Sequence, residues 1–135
     1  MQQIINQLTS NPKVLFLLDG VGAFLSAILL GVVLVQFESV FGMPKPTLYF
    51  LALFPCIFLL YDLWCYFQIK RNGGIYIKVI AIANLLYCCL SIGLVVYHFQ
   101  QLTQLGLIYF LLEFVIILFL VRIELKIAAK LNSGN

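Results

Sequence analysis

The stretch LGLIYFLLEFVIILFLV, residues 105–121, contains a single charged residue, Glu113, in an otherwise apolar sequence. A helix needs about 20 apolar residues, with a range of about 17–25, to cross a bilayer core about 30 Å thick. Three further stretches meet this requirement, at 14–37, 47–67 and 75–99. The four stretches predict an all-α integral membrane protein, a four-transmembrane-helix bundle that forms one domain over residues 1–135. A short basic extension, 122–135, follows the fourth span.

The composition leads to the same class of protein. Hydrophobic residues make up 64% of the chain and charged residues 10%, whereas soluble domains are about half apolar and about a quarter charged. The net charge of +3 is small and its basic residues lie between apolar segments. An ordinary soluble domain is therefore excluded, and the absence of a continuous basic stretch argues against nucleic-acid binding.

Turn-forming residues separate the predicted spans. The sequence predicts that Asn11 caps the first helix, with Pro12 in its first turn. Glycine and proline within 42–46, the Asn-Gly-Gly sequence at 72–74 and the polar segment 100–104 mark the three connections. All three connections are short, so consecutive spans are expected to be antiparallel neighbours.

The basic residues predict the orientation of the bundle. If both ends of the chain face one side of the membrane, that side carries seven of the eight basic residues: Lys13, Lys70, Arg71, Lys78, Arg122, Lys126 and Lys130. The opposite side carries only Lys45. Short loops rich in lysine and arginine remain in the cytoplasm. We therefore expect both termini to be cytoplasmic and the protein to lie in a bacterial inner membrane as a multi-pass protein.

Each predicted span contributes one strongly polar residue. Each of these residues lies six to nine positions from the basic residue at the cytoplasmic end of its span, and they are Asp19, Asp62, Asn84 and Glu113. At about 1.5 Å per residue, these positions fall within about one helical turn of each other in depth. Ionisable residues in membrane spans almost always face the bundle interior. We therefore expect the four side chains to converge on one cavity in the cytoplasmic half of the bundle.

No lysine, arginine or histidine lies at the same predicted depth as the three carboxyl groups of Asp19, Asp62 and Glu113. Burial and like-charge repulsion both oppose ionisation, so one or two of the carboxyls are expected to be protonated near neutral pH. Tyrosines at neighbouring levels, Tyr87 and Tyr109 among them, supply hydroxyl groups and aromatic walls. A carboxylate and aromatic lining suits a lipophilic cation.

Two functions are compatible with this pattern. The first is binding of a lipophilic small molecule, cationic if a carboxylate stays ionised, or coupling to protons. The residues expected to line that site are Glu113, Asp62, Asp19, Asn84, Tyr87 and Tyr109. The alternative is a non-catalytic accessory or assembly subunit of a membrane complex, in which the buried acids act as hydrogen-bond donors and acceptors between helices.

Small residues on one face of the first span bear on the binding partners of the protein. Asp19, Ala23, Ala27 and Gly31 recur every four residues, a small-residue spacing that allows close helix approach. This face predicts a homo-oligomer or a membrane partner, and membrane lipids are expected to contact the protein as well.

The sequence indicates no cofactor. A metal site is the least favoured use of the acids because no histidine or paired cysteine lies near them. No catalytic residue is assigned, although a buried acid beside a carboxylate leaves an enzyme open.

The general plan resembles several small four-helix membrane groups. It is similar to small multidrug exporters, which rely on a carboxylate in their first helix, and to emopamil-binding-type sterol isomerases, which present acidic residues from a small bundle. In this chain the deepest acid, Glu113, lies in the fourth span. The four cysteines form no C-x-x-C pair, unlike those of vitamin-K-reductase-like bundles. No local motif matches these groups, so no residue role is transferred from them.

Overall fold

A computed structural model describes residues 2–68 and 74–133 of the chain, and these residues form helices and short connections without a strand. Four helices are long and apolar enough to cross a membrane: Lys13–Gln36, Lys45–Gln68, Gly74–Tyr97 and Gln104–Leu131. They are called the first to fourth spans below. The prediction of an all-helical protein with four membrane-spanning helices is therefore confirmed. The predicted turn residues Asn72 and Gly73, and the basic residues Lys70 and Arg71, lie outside the described residues.

The first span is irregular in its second half. Its α-helix Pro12–Ile28 continues through a π-helical segment, Leu29–Val33, and ends after Leu34–Gln36. Pro12 opens the helix as predicted, because a missing N–H costs nothing in the first turn. The predicted cap is wrong in one respect. Asn11 occupies the N-cap position, but its side chain makes no capping hydrogen bond.

The fourth helix continues past the end of the predicted span, into the basic extension. It runs without interruption over Gln104–Ser133, whereas the predicted span ended at residue 121. Arg122, Lys126 and Lys130 are exposed along its outer face, and no proline or glycine within 122–133 interrupts the helix. A helix can carry charge on an exposed face while the opposite face stays buried. The basic residues therefore make the outer face polar but do not end the helix.

A short helix that the sequence analysis did not predict precedes the first span. It comprises Gln2–Ser10 and packs against the end of the fourth helix. There the Lys130 ammonium donates to the Asn6 side-chain oxygen at 2.9 Å. The two ends of the described chain therefore lie at the same end of the bundle, which we call the terminal end.

The spans form two helical hairpins. The first span packs along the second and the third along the fourth, whereas the first and fourth spans approach each other much less closely within the described ranges. A core of buried side chains joins the hairpins, with Leu30, Leu51, Tyr87 and Phe110 among its members. The outer faces carry exposed leucine, isoleucine, valine and phenylalanine side chains throughout, as expected for surfaces that contact lipid tails.

The two connections opposite the termini are in direct contact, and we call this side the loop end. The Thr103 amide donates to the Phe41 carbonyl oxygen at 3.2 Å, and the Thr103 hydroxyl donates to the Val40 carbonyl oxygen at 2.6 Å. Gly42 adopts a left-handed conformation with φ of 87° and lies against the backbone of Gln101. Backbone atoms of one hairpin thus contact backbone atoms of the other.

Candidate functional site

A cavity of about 360 Å³ lies between the two hairpins. This volume falls within the about 300–1,000 Å³ typical of small-molecule pockets. Most of its lining is apolar, and its polar residues are Asp19, Ser26, Asn84, Tyr87, Tyr109 and Glu113. Five of the six residues that the sequence predicts for a ligand site therefore line the same cavity.

The cavity opens on the side where the hairpins are least closely packed. Leu25 and Leu29 of the first span and Leu112 and Ile116 of the fourth span line it and are also exposed on the outer surface. These four side chains flank a gap between the two spans. The cavity therefore opens between these two spans onto the apolar outer surface of the bundle.

Glu113 is held at the wall by a tyrosine of the third span. The Tyr87 hydroxyl donates to Glu113 Oε1 at 2.7 Å, and Tyr109 lines the cavity beside them. The other carboxyl oxygen, Oε2, is buried and has no hydrogen-bond partner in the described part of the chain. The rings of Phe54 and Phe58 pack against Tyr87 and support its position. Glu113 thus accepts a hydrogen bond from Tyr87 at one oxygen, and the Tyr109 hydroxyl also lies close enough to interact with its carboxyl group.

A second polar group lies closer to the terminal end. The Asn84 side-chain amide donates to Asp19 Oδ1 at 3.1 Å and to Glu124 Oε1 at 3.4 Å, which joins the first, third and fourth spans. Asp62 of the second span lies close enough to Asp19 and Glu124 to interact with both electrostatically. We call Asp19, Asp62 and Glu124 the carboxyl cluster. Asn84 is its hydrogen-bond donor, as an amide with two N–H groups allows.

The carboxyl cluster is almost fully removed from solvent. The exposed fractions are 4% for Asp19, 1% for Asp62 and 0% for Glu124. Both Asp62 oxygens and Glu124 Oε2 accept no hydrogen bond from an N–H or hydroxyl group among residues 2–68 and 74–133, and both side chains interact with the Asp19 carboxyl. Every lysine and arginine within those ranges is exposed, so no basic side chain is buried beside the cluster.

Asp62 is the proposed ligand residue that does not line the cavity. It lies behind the first span, where a Cβ added to Gly20 would be 3.5 Å from the Asp62 Cβ. Its side chain borders a smaller groove of about 180 Å³ between the first and second spans instead. Asp62 belongs to the carboxyl cluster. It interacts with Asp19, the member of the cluster that lines the cavity.

Glu124 belongs to this polar group although the sequence pattern did not place it there. The predicted span ends at residue 121, and only the basic face of the extension that follows, with Arg122, Lys126 and Lys130, was identified from the sequence. The face that carries Tyr109, Glu113 and Leu120 repeats at helical spacing through Glu124 and Ile127. Glu124 lies eleven positions after Glu113, which is close to three full turns of a helix. Extending the periodic face past the first basic residue would have placed Glu124 inside the bundle.

The small-residue face of the first span makes contacts within the chain. Ala23 lines the cavity, and a Cβ added to Gly31 would lie 3.4 Å from the Ala52 Cβ of the second span. Ala27 is partly buried between them. These positions allow the first span to approach the second closely while leaving space for the cavity.

The described part of the chain contains neither a disulfide nor a group of side chains suited to a metal ion. The four cysteines, Cys56, Cys65, Cys88 and Cys89, are free thiols. Within 2–68 and 74–133, no three histidine, cysteine or acidic side chains are grouped so that they could hold a metal ion. No known protein family, curated protein or solved structure matches this chain.

Proposed function

We propose that this protein binds a lipophilic, cationic small molecule that reaches the cavity from the bilayer through the gap between the first and fourth spans. The observation that carries the proposal is Glu113 Oε2, a buried carboxyl oxygen without a hydrogen-bond partner at the wall of a 360 Å³ apolar cavity. No lysine or arginine of the described ranges is buried there to neutralise it. A ligand that supplies positive charge satisfies the site best.

The rest of the lining supports the same class of ligand. Phe58, Tyr87 and Tyr109 place aromatic groups around the cavity, and aromatic faces attract cations by about 0.5–2 kcal/mol. Asp19 provides a second carboxyl at the wall, and Asn84 provides an amide that can orient a polar group. Leucine and isoleucine side chains at the gap suit the apolar part of the molecule.

Binding of benzyltrimethylammonium to the purified protein in mild detergent tests this proposal. Its neutral counterpart, neopentylbenzene, has nearly the same shape and no charge. We expect the cation to bind more tightly than neopentylbenzene. We expect Glu113→Gln to weaken cation binding about tenfold, which corresponds to about 1.4 kcal/mol, because the substitution removes one carboxylate from the cavity wall.

Glu38→Gln is the control for Glu113→Gln. It also changes a carboxyl to an amide, but Glu38 lies at the loop end and does not line the cavity, so cation affinity should stay within about threefold of the parent. Equal binding of the charged and neutral probes, or no binding of either, would contradict the proposal. The protein would then be better explained as an accessory subunit, and native mass spectrometry should reveal only protein and ordinary lipids.

We also propose that both termini face the cytoplasm of a bacterial inner membrane. The distribution of seven basic residues against one supports this orientation. In a chain whose native cysteines are replaced by alanine, Ser39→Cys places a thiol at the loop end and Ser10→Cys places one at the terminal end; both serines are exposed. A membrane-impermeant maleimide applied to intact cells should label Ser39→Cys and should label Ser10→Cys only after permeabilisation. The reverse pattern, or labelling of both in intact cells, would refute the proposed orientation.

A further inference from the structure

We propose that the groove of about 180 Å³ between the first and second spans binds one acyl chain of an anionic phospholipid, with the lipid phosphate beside the Lys13 ammonium group. The groove is separate from the cavity, because the two share no lining residue. Lipid binding in the groove therefore does not depend on the function proposed for the cavity.

The groove has apolar walls and opens outward. Its walls are formed by Phe16, Leu17, Val21 and Phe24 of the first span and by Leu59 and Leu63 of the second. Most of these side chains are exposed on the outer surface of the bundle. Gly20 lies at the groove and has no side chain to fill it. Asp62 borders the groove, but both of its oxygens are buried, so the surface offered to a lipid chain consists of carbon.

The groove follows one face of the first span from its terminal end towards the middle of the membrane. Lys13, Phe16, Gly20 and Phe24 recur at intervals of three or four residues, which places them on the same helix face. Phe24 lies eleven positions after Lys13, or about 16 Å along the helix. This length is about half of a bilayer core that is about 30 Å thick. An acyl chain within one leaflet of the membrane occupies the same depth.

Lys13 lies at the end of the groove where a lipid headgroup belongs. Its ammonium nitrogen is 5.9 Å from the centre of the Tyr66 ring, and Tyr66 lines the groove. Because a cation is attracted to an aromatic face, this contact holds the ammonium group beside the groove. An ammonium group has three N–H donors, so it can bind a phosphate oxygen while it remains over the ring.

The charge of the terminal end favours an anionic lipid. The chain has five acidic residues. Four of them are buried, and the fifth, Glu38, lies at the loop end. The exposed charged side chains of the described residues at the terminal end are therefore all basic, and they are Lys13, Lys78, Arg122, Lys126 and Lys130. A second copy of the chain would bring the same positive charge to the groove, whereas an anionic headgroup is attracted to it.

Native mass spectrometry of the purified protein in mild detergent measures the binding of dioleoyl phosphatidylglycerol and dioleoyl phosphatidylcholine. The two lipids have the same acyl chains, but only the first carries a net negative charge. We expect the parent to bind phosphatidylglycerol about fivefold more tightly, the effect of one basic residue near an anionic headgroup. Lys13→Gln should remove most of this preference. The control Lys126→Gln should keep it, because Lys126 is exposed on the fourth helix and does not line the groove.

Tryptophan fluorescence locates the bound lipid. The chain has a single tryptophan, Trp64, so Trp64→Phe provides a background without one. In that background, Leu17→Trp places a tryptophan at the groove, and Leu18→Trp places one at the next exposed position, away from the groove. In phosphatidylcholine vesicles that contain a small fraction of phosphatidylglycerol with brominated acyl chains, the Leu17→Trp variant should lose more fluorescence than the Leu18→Trp variant.

Four results would overturn the proposal. The first is equal binding of the two lipids by the parent, and the second is the same lipid preference in Lys13→Gln and Lys126→Gln. The third is equal quenching of the Leu17→Trp and Leu18→Trp variants, which would place the bound lipid outside the groove. The fourth is a mass spectrum of dimers without bound lipid, which would assign the groove to a second copy of the chain.

Discussion

Gly106→Ala is expected to destabilise the protein by about 2–4 kcal/mol, near the upper end of the range for single substitutions. A Cβ at position 106 would overlap the carbonyl oxygen of Phe41 in the other hairpin. That oxygen also accepts the Thr103 amide hydrogen bond, so neither side can move without breaking the contact at the loop end. Reversible unfolding in mixtures of mild detergent and sodium dodecyl sulfate measures the effect.

Gly93→Ala is the matched control for Gly106→Ala. Gly93 also lies in a membrane span, but a Cβ added there meets no atom within 4 Å. Alanine in an unobstructed helix is favoured over glycine by about 0.8–1.0 kcal/mol, so this variant should be as stable as the parent or slightly more stable. If the two variants have the same free energy of unfolding, the close contact between Gly106 and the Phe41 carbonyl is refuted.

Asn84→Leu is expected to cost about 1–3 kcal/mol of unfolding free energy and to lower the melting temperature in detergent. The substitution keeps the approximate side-chain size but removes the N–H groups that reach Asp19 and Glu124. Leaving buried acceptors without a donor costs about 1–3 kcal/mol, whereas a typical hydrogen bond between membrane helices contributes about 0.6 kcal/mol. We expect the larger of these two energies for Asn84→Leu, because the Asn84 amide donates to two buried carboxyls.

Ser91→Ala is the control for Asn84→Leu, on the same face of the third span two turns further along. Ser91 is fully buried, and its hydroxyl group makes no hydrogen bond to Asp19 or Glu124. Its replacement should therefore change stability by less than about 0.5 kcal/mol. A melting temperature for Asn84→Leu equal to that of Ser91→Ala would show that the amide does not hold the three spans together.

The sequence predicted the four spans because each hydrophobic stretch is long enough to cross a bilayer as a helix. It also predicted the inward direction of Asp19, Asn84 and Glu113, since a charged or amide side chain is far more costly on a lipid-facing surface. These inferences depend on local composition and helical periodicity alone, and both survive in the three-dimensional structure.

What the sequence did not reveal depends on contacts between distant parts of the chain. Glu124 looks like a residue of an exposed basic tail until the helix is extended and its face is compared with that of Glu113. The separation of Asp62 from the cavity depends on how closely Gly20 allows the second span to approach. The pairing of Tyr87 with Glu113 depends on the register between the third and fourth spans, which no pattern within either span specifies.

The two ends of the bundle are joined by different kinds of contact. At the loop end, the hairpins meet through backbone groups, the Thr103 hydroxyl and the hydrogen bond between Thr47 and His98. At the terminal end, Asp19, Asn84 and Glu124 connect the hairpins through buried side chains. Backbone contacts persist through most side-chain substitutions, apart from those at Gly42 and Gly106, where an added Cβ would overlap the other hairpin. Sequence change therefore acts on the loop end mainly through these two glycines and on the terminal end through Asn84 and its two carboxyl partners.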